Sequence, residues 1–193
     1  LTANAAWNLV NFRLPLMQHL RERGFRVSAA APDDGCAGRL REEGFELHSF
    51  PLSRKGTNPL ADLSTFARLR AIYRQQRPDL VCHFTVKPNI YGTFAAAGLD
   101  IPSINNISGL GTVFITGSPV TGIVKALYRA SQARACRVFF QNGDDLELFV
   151  DYGLVRREKA GLLPGSGIDL ERFAPGDTGS GTVDSVDEGA SGE

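Results

Sequence analysis

The chain has 193 residues, 42% apolar and 22% charged, with 21 basic residues balanced by 21 acidic ones; at that length a core can bury roughly 70% of the unfolded surface. No apolar run approaches the ~20 residues that cross a bilayer, and no basic-then-apolar leader opens the sequence, which sets the expectation of a cytoplasmic protein. Three scattered cysteines (Cys36, Cys82, Cys136) exclude a disulfide scaffold and a Cys-rich zinc site, and the zero net charge argues against nucleic acid as a partner.

Helix-like and strand-like segments then alternate. Leu9, Phe12, Leu16 and Leu20 form a helical stripe over 8–23, and Gly24 follows as a stop signal. An apolar run over 25–31, closed by Pro32-Asp33-Asp34-Gly35, predicts a buried strand and turn. A short helix over 37–43 and a strand over 45–50 come next. Asn58-Pro59 opens a helix that runs to Gln76, where Arg77-Pro78 breaks it. A strand over 79–84, a helix over 90–98, a strand over 101–107 and a helix over 120–135 continue the pattern. A strand over 137–141, a helix over 144–152 and a short strand over 160–163 complete it.

Repeated β-α-β spacing predicts an α/β fold: a doubly wound parallel sheet with helices on both faces and right-handed crossovers. Such domains open with a hydrophobic central strand, yet only Leu1-Thr2 precede the first loop, so the expectation is that roughly four or five native residues, most of a strand, are missing. The stretch 176–193 holds five acidic residues and no Lys or Arg, leaving 21 basic against 16 acidic residues before it. With no aromatic residue it cannot offset the entropy of ordering, and it is expected to be a disordered acidic tail. The domain is then 1–175.

In a doubly wound sheet ligands bind beyond the C-terminal ends of the strands. The distinctive polar residues fall in those loops: Asn4–Asn11, Asp33-Asp34, Ser53–Asn58, His83–Asn89, Ser108–Thr112, Gln141-Asn142 and Gly165–Gly167. Standard sites are absent from the sequence. There is no P-loop, no Gly-x-Ser-x-Gly elbow and no His-Glu-x-x-His. Gly109-Leu110-Gly111 begins like a dinucleotide fingerprint, but Phe114 stands at its third glycine. No Asp-x-Asp occurs, so no metal clamp on a diphosphate is expected.

Three segments remain. Trp7-Asn8-Leu9-Val10-Asn11-Phe12-Arg13 lies at a loop-to-helix junction, where free N–H groups attract an anion; Asn8 is either part of that site or only an N-cap, and Arg13 either a ligand cation or a solvated helix charge. Cys82-His83-Phe84-Thr85-Val86-Lys87-Pro88-Asn89-Ile90-Tyr91-Gly92 places a titratable donor and a cation at a strand's end; His83 either meets a sugar or stabilises developing charge, or is satisfied structurally by backbone. His19 and His48 lack that placement. Asn105-Asn106-Ile107-Ser108-Gly109-Leu110-Gly111 offers glycines for close ligand approach or for a tight turn.

Together these segments, with Phe140-Gln141-Asn142 and Pro164-Gly165-Ser166-Gly167-Ile168-Asp169, resemble in order the N-terminal domain of a glycosyltransferase family 4 enzyme. The resemblance is to the bacterial subgroup that builds capsule, O-antigen or lipid-linked glycans. It implies one Rossmann-like half of a GT-B architecture: an acceptor-side domain of a retaining, metal-independent transferase. The whole enzyme would move a hexose or N-acetylhexosamine from a nucleotide sugar, typically a UDP-sugar, to a lipid-linked (polyprenyl) or oligosaccharide acceptor, with no further cofactor. Under it His83 is the catalytic candidate beside the transferred sugar. Trp7, Asn8, Asn11, Arg13, Lys87, Asn89, Gly109, Leu110, Gly111 and Asn142 are the acceptor- and donor-binding candidates. Arg21, Arg23, Arg68, Arg70, Arg74 and Arg77 either approach anionic lipid at the inner face of the cytoplasmic membrane or form ordinary solvated faces. The family's donor half carries two Glu separated by seven residues, a pair absent from this sequence. The alternatives are therefore a non-catalytic glycan-binding or partner module that needs a separate donor-domain chain, and a fragment of a GT-B nucleotide-sugar epimerase.

Overall fold

A computed structural model describes residues 1–52, 58–109 and 119–167. The segment Ser53–Thr57, the candidates Leu110 and Gly111, Thr112, the Ile168-Asp169 end of the last turn and the expected acidic tail lie outside the described residues.

Among the described residues there are six strands: β1 (Ser28–Ala30), β2 (Glu46–His48), β3 (Val81–Phe84), β4 (Ser103–Ile107), β5 (Arg137–Phe140) and β6 (Ala160–Leu162). Every pairing is parallel. Leu1–Ala3 run between β1 and β3: Thr2 bridges Ala30 on one side and His83 on the other. Strand-type bonds hold it there, with the Thr2 N–H donating to the Cys82 carbonyl at 2.8 Å and the Phe84 N–H to the Thr2 carbonyl at 2.8 Å. The order is thus β2-β1-(Leu1–Ala3)-β3-β4-β5-β6. Strand order reverses between Leu1–Ala3 and β3, which is the topological switch point of a doubly wound sheet.

The helices are α1 (Ala6–Phe12), α2 (Leu14–Glu22), α3 (Ala37–Glu42), α4 (Pro59–Gln76), α5 (Thr93–Ala97), α6 (Pro119–Gln132) and α7 (Gly143–Asp151). The period of two along β3 sorts them into layers. Phe84 and half-buried Cys82 pack with Leu9, Met17 and Leu40 from α1–α3. Val81 faces the other way, with Leu69, Tyr73, Ala95 and Ala96 from α4 and α5. Ile107, Val138 and Phe140 extend that second layer under Tyr128 and Phe149 of α6 and α7.

Local signals explain the helix ends. Asn58 caps α4, its side chain accepting from the Leu60 and Ala61 N–H groups, with Pro59 at the first position. Arg77 ends it in the left-handed conformation at φ 46°. One expectation is corrected: the stripe over 8–23 is not one helix. Pro15 has no N–H to donate and its ring crowds the carbonyl four residues back, so the chain breaks at Arg13 and restarts as α2. The helix expected over 90–98 likewise begins as a wide turn over Pro88–Gly92 before α5. Wide turns of this kind insert a residue and occur often at functional sites.

Candidate functional site

At the switch point the loop after Ala3 meets the loop after β3. The Asn4 N–H donates to Thr85 Oγ1 at 3.2 Å. Beside this contact lies a cleft of about 260 Å³, lined by Asn4, Thr85, Lys87, Asn89, Ser108 and Gly109 among others. Thr85 holds φ 72°, a left-handed conformation costly for a β-branched residue and characteristic of ligand sites. Further along the rim, Gln141 Nε2 donates to Asn106 Oδ1 at 3.4 Å and to Ser166 Oγ at 3.1 Å. Loops far apart in sequence therefore do converge on one edge of the sheet. Of the expected site residues, Lys87, Asn89 and Gly109 share the cleft.

His83 does not reach it. Its ring is 0% exposed, because the pleat of β3 turns position 83 toward α4 and α5. Asn105 Nδ2 donates to Gln132 Oε1 at 2.6 Å, which fixes Asn105 Oδ1 as the acceptor of the His83 Nδ1–H at 2.8 Å. Nε2 is then the lone-pair nitrogen and accepts from the Tyr73 hydroxyl at 3.0 Å. Tyr73 in turn accepts from Thr2 Oγ1 at 3.0 Å. Burial lowers the His83 pKa to about 4, against the opposing effect of its bond to Asn105. The expected position of His83 beside a sugar is corrected: a neutral, enclosed imidazole with both nitrogens engaged pins β3 to α4 and β4. Gly92 packs on the same ring, where a Cβ would stand 2.5 Å from Nε2. His83 thus supports the Pro88–Gly92 turn from beneath, and Asn89 and Lys87 project from that turn and the residue before it.

The remaining candidates separate by contact. Arg13 is buried, its guanidinium 4.3 Å from the centre of the Phe84 ring and 3.5 Å from Asn106 Oδ1, so it is neither a solvated charge nor a rim cation. The anion site expected at the start of α1 is filled by the chain itself: both oxygens of Asp34 accept from the Trp7 N–H at 3.2 Å. Trp7 is half exposed and meets Phe12 edge to face, and Asn11 Nδ2 donates to the Trp7 carbonyl at 2.9 Å. Asn8 is not the N-cap of α1, a place taken by Ala5, and its buried Oδ1 has no hydrogen-bond partner. Asn142 caps α7, accepting from the Asp145 N–H at 2.8 Å.

Sequence reading missed Asp62. On the first turn of α4, it accepts from Lys87 Nζ at 2.7 Å and, on its other oxygen, from the Tyr91 hydroxyl at 2.9 Å. Only the packing of α4 against the Pro88–Gly92 turn brings these together, and no local motif announces it. Thr85 and Asn4 were within the expected loops, but their mutual bond depends on the central strand pairing.

A parallel sheet whose strand order reverses at a polar cleft, with helices on both faces, defines a Rossmann-like unit of the GT-B type. Solved structures share it. A glycosyltransferase from Rickettsia africae aligns with TM-score 0.62 at 11% identity, over 91% of this chain and 45% of that one. MurG of Acinetobacter baumannii aligns with TM-score 0.58 at 17% identity, over 89% and 46%. The UDP-GlcNAc 2-epimerase of Neisseria meningitidis aligns with TM-score 0.59 at 13% identity, over 83% and 45%. The family model described as a glycosyl transferase 4-like domain matches residues 11–165, and the chain belongs to that family. A curated relative from Campylobacter jejuni, N,N'-diacetylbacillosaminyl-diphospho-undecaprenol alpha-1,3-N-acetylgalactosaminyltransferase, is 26% identical over 178 residues, 90% of this chain and 47% of its own length. The chain thus spans about half of that relative.

Proposed function

We propose that this chain is the acceptor-side half of a retaining glycosyltransferase. The complete enzyme moves a hexose or N-acetylhexosamine from a UDP-sugar to a lipid-linked or oligosaccharide acceptor, without a resident metal or cofactor, on the cytoplasmic side of the membrane. The observation that carries this reading is the cleft at the switch point, whose lining sets the hydrogen-bonding Asn4, Thr85, Lys87, Asn89 and Ser108 beside the apolar Leu52, Val86 and Tyr128, a mixture suited to the hydroxyls and C–H faces of a carbohydrate. The family match supports transfer chemistry. The Campylobacter relative, named for action on a diphospho-undecaprenol acceptor, supports a lipid-linked substrate.

Peripheral membrane contact belongs to the same proposal. On α4, Leu60 and Leu63 are 77% and 62% exposed, and exposed Arg74, three turns beyond Leu63, lies on the same face, which suits an anionic lipid surface. Among the described residues no helix is long and apolar enough to cross a membrane.

Donor and acceptor must be held in reacting geometry for transfer, so the chain alone is expected to turn over no UDP-sugar and to bind UDP weakly or not at all by calorimetry. Supplying a donor-binding domain from a family relative should restore transfer to a polyprenyl-diphosphate-linked sugar. Robust turnover by the chain alone rejects the half-enzyme reading. Failure of every donor half to restore transfer, with glycan binding retained, favours a binding module instead.

A further inference from the structure

We propose that the cleft takes the hydroxyl groups of an uncharged sugar rather than a phosphate, and that Asp62 is the positioning residue that makes it so. The inference rests on the acceptor-side reading above and narrows its ligand. Among the described residues Lys87 is the only cation lining the cleft, and a lysine on a glycosyltransferase rim invites assignment to a phosphate. Its contacts argue otherwise. The Lys87 and Asp62 side chains are only 15% and 13% exposed, with Nζ and Oδ1 2.7 Å apart. The second carboxylate oxygen is held by the Tyr91 hydroxyl, so the carboxylate cannot swing away without breaking a second bond. An incoming phosphate therefore meets a charge-balanced pair. To take the ammonium it must leave a shielded carboxylate facing its own negative charge, a large cost away from bulk water.

The hydrogen-bonding inventory points the same way. An ammonium has three donors, and Asp62 is the one partner of Lys87 Nζ among the described residues. Two residues on, Asn89 also lines the cleft. Its Nδ2 donates to the Asn106 carbonyl at 2.9 Å, which fixes the amide, and its buried Oδ1 has no partner. Lys87 and the Pro88–Gly92 turn that follows it thus carry a spare donor at Lys87 and a spare acceptor at Asn89. A hydroxyl both donates and accepts and satisfies the two. A phosphate oxygen only accepts and leaves Asn89 Oδ1 unpaired. The other polar side chains of the described lining, Asn4, Thr85 and Ser108, are uncharged.

The test is a titration of the isotope-labelled full chain, followed by amide NMR shifts, with methyl N-acetylglucosaminide and separately with inorganic pyrophosphate. The glycoside should shift the Thr85, Lys87, Asn89 and Ser108 amides saturably, and pyrophosphate at equal concentration should not. Asp62→Asn should weaken the glycoside about tenfold, the loss of one charged hydrogen bond, and should let pyrophosphate shift the same amides. Asp62→Glu should keep the wild-type preference. Tyr91→Phe loosens the carboxylate without removing it; it should weaken the glycoside by less, and it carries the test if Asp62→Asn does not fold. Pyrophosphate binding to the wild-type cleft overturns this inference and leaves the acceptor-side reading standing. Binding of neither probe there overturns both. A folded Asp62→Asn with unchanged preference overturns the role given to Asp62.

Discussion

His83 Nδ1 lies 2.8 Å from Asn105 Oδ1 in the space between β3, β4 and α6, and this contact makes the imidazole part of the scaffold. Through Asn105 and Gln132 the network continues to the Asn89 carbonyl, which accepts from Gln132 Nε2 at 3.3 Å. The turn that carries the cleft's donor and acceptor is therefore held from below by fully buried polar groups. Such networks are costly to break, because each orphaned partner stays out of water.

The buried imidazole predicts how stability depends on pH. Its folded pKa, about 4, lies below the ordinary 6.5, so in that interval the unfolded chain binds a proton that the folded one refuses. Its contribution is complete above pH 6.5, declines as pH falls toward 4 and then levels off, amounting to about 3 kcal/mol. Urea midpoints measured from pH 7.5 to 4 should fall, and fall less in His83→Gln, whatever that variant loses at neutral pH. Parallel curves for the two proteins would contradict a neutral buried His83.

Gly92 is required by the ring beneath it rather than by its backbone. A Cβ there would approach His83 Nε2 to 2.5 Å, so Gly92→Ala must displace either the imidazole or the turn. The expected cost is about 1–3 kcal/mol, read as a lower denaturant midpoint at an unchanged slope. Amide shifts should be confined to 83–93 and the cleft.

Thr85 separates strain from bonding. Thr85→Ala and Thr85→Gly both lose the bond from Asn4, but only glycine relieves the backbone at φ 72°. The glycine variant should be the more stable of the two by about 1 kcal/mol. Equal stabilities in chemical denaturation would mean that the left-handed turn costs nothing here.

Asn142 provides a control. Its side chain caps α7, so Asn142→Ala should lose about 1 kcal/mol of stability while glycoside binding stays unchanged. A tenfold loss of binding in a folded variant would restore it to the ligand site.

Fully local signals were legible in the sequence. Asn58-Pro59 and Arg77-Pro78 bracket α4, and the apolar runs at Val81–Phe84 and Arg137–Phe140 are strands. The β-α alternation implied a parallel sheet whose loops gather at one edge. Pro15 was legible too, and reading the apolar stripe across it produced a helix where there are two.

Tertiary structure decided which polar residues are free to act. In sequence His83, Arg13 and Lys87 are all polar candidates near strand and helix ends. In the fold, pleat direction sends His83 inward, the Phe84 ring covers Arg13, and α4 delivers Asp62 to Lys87. Which face a side chain takes and what meets it there depend on partners 22 to 93 residues away. No window of sequence contains both members of such a contact, so the chain could announce its sheet and its rim but not the chemistry of the cleft.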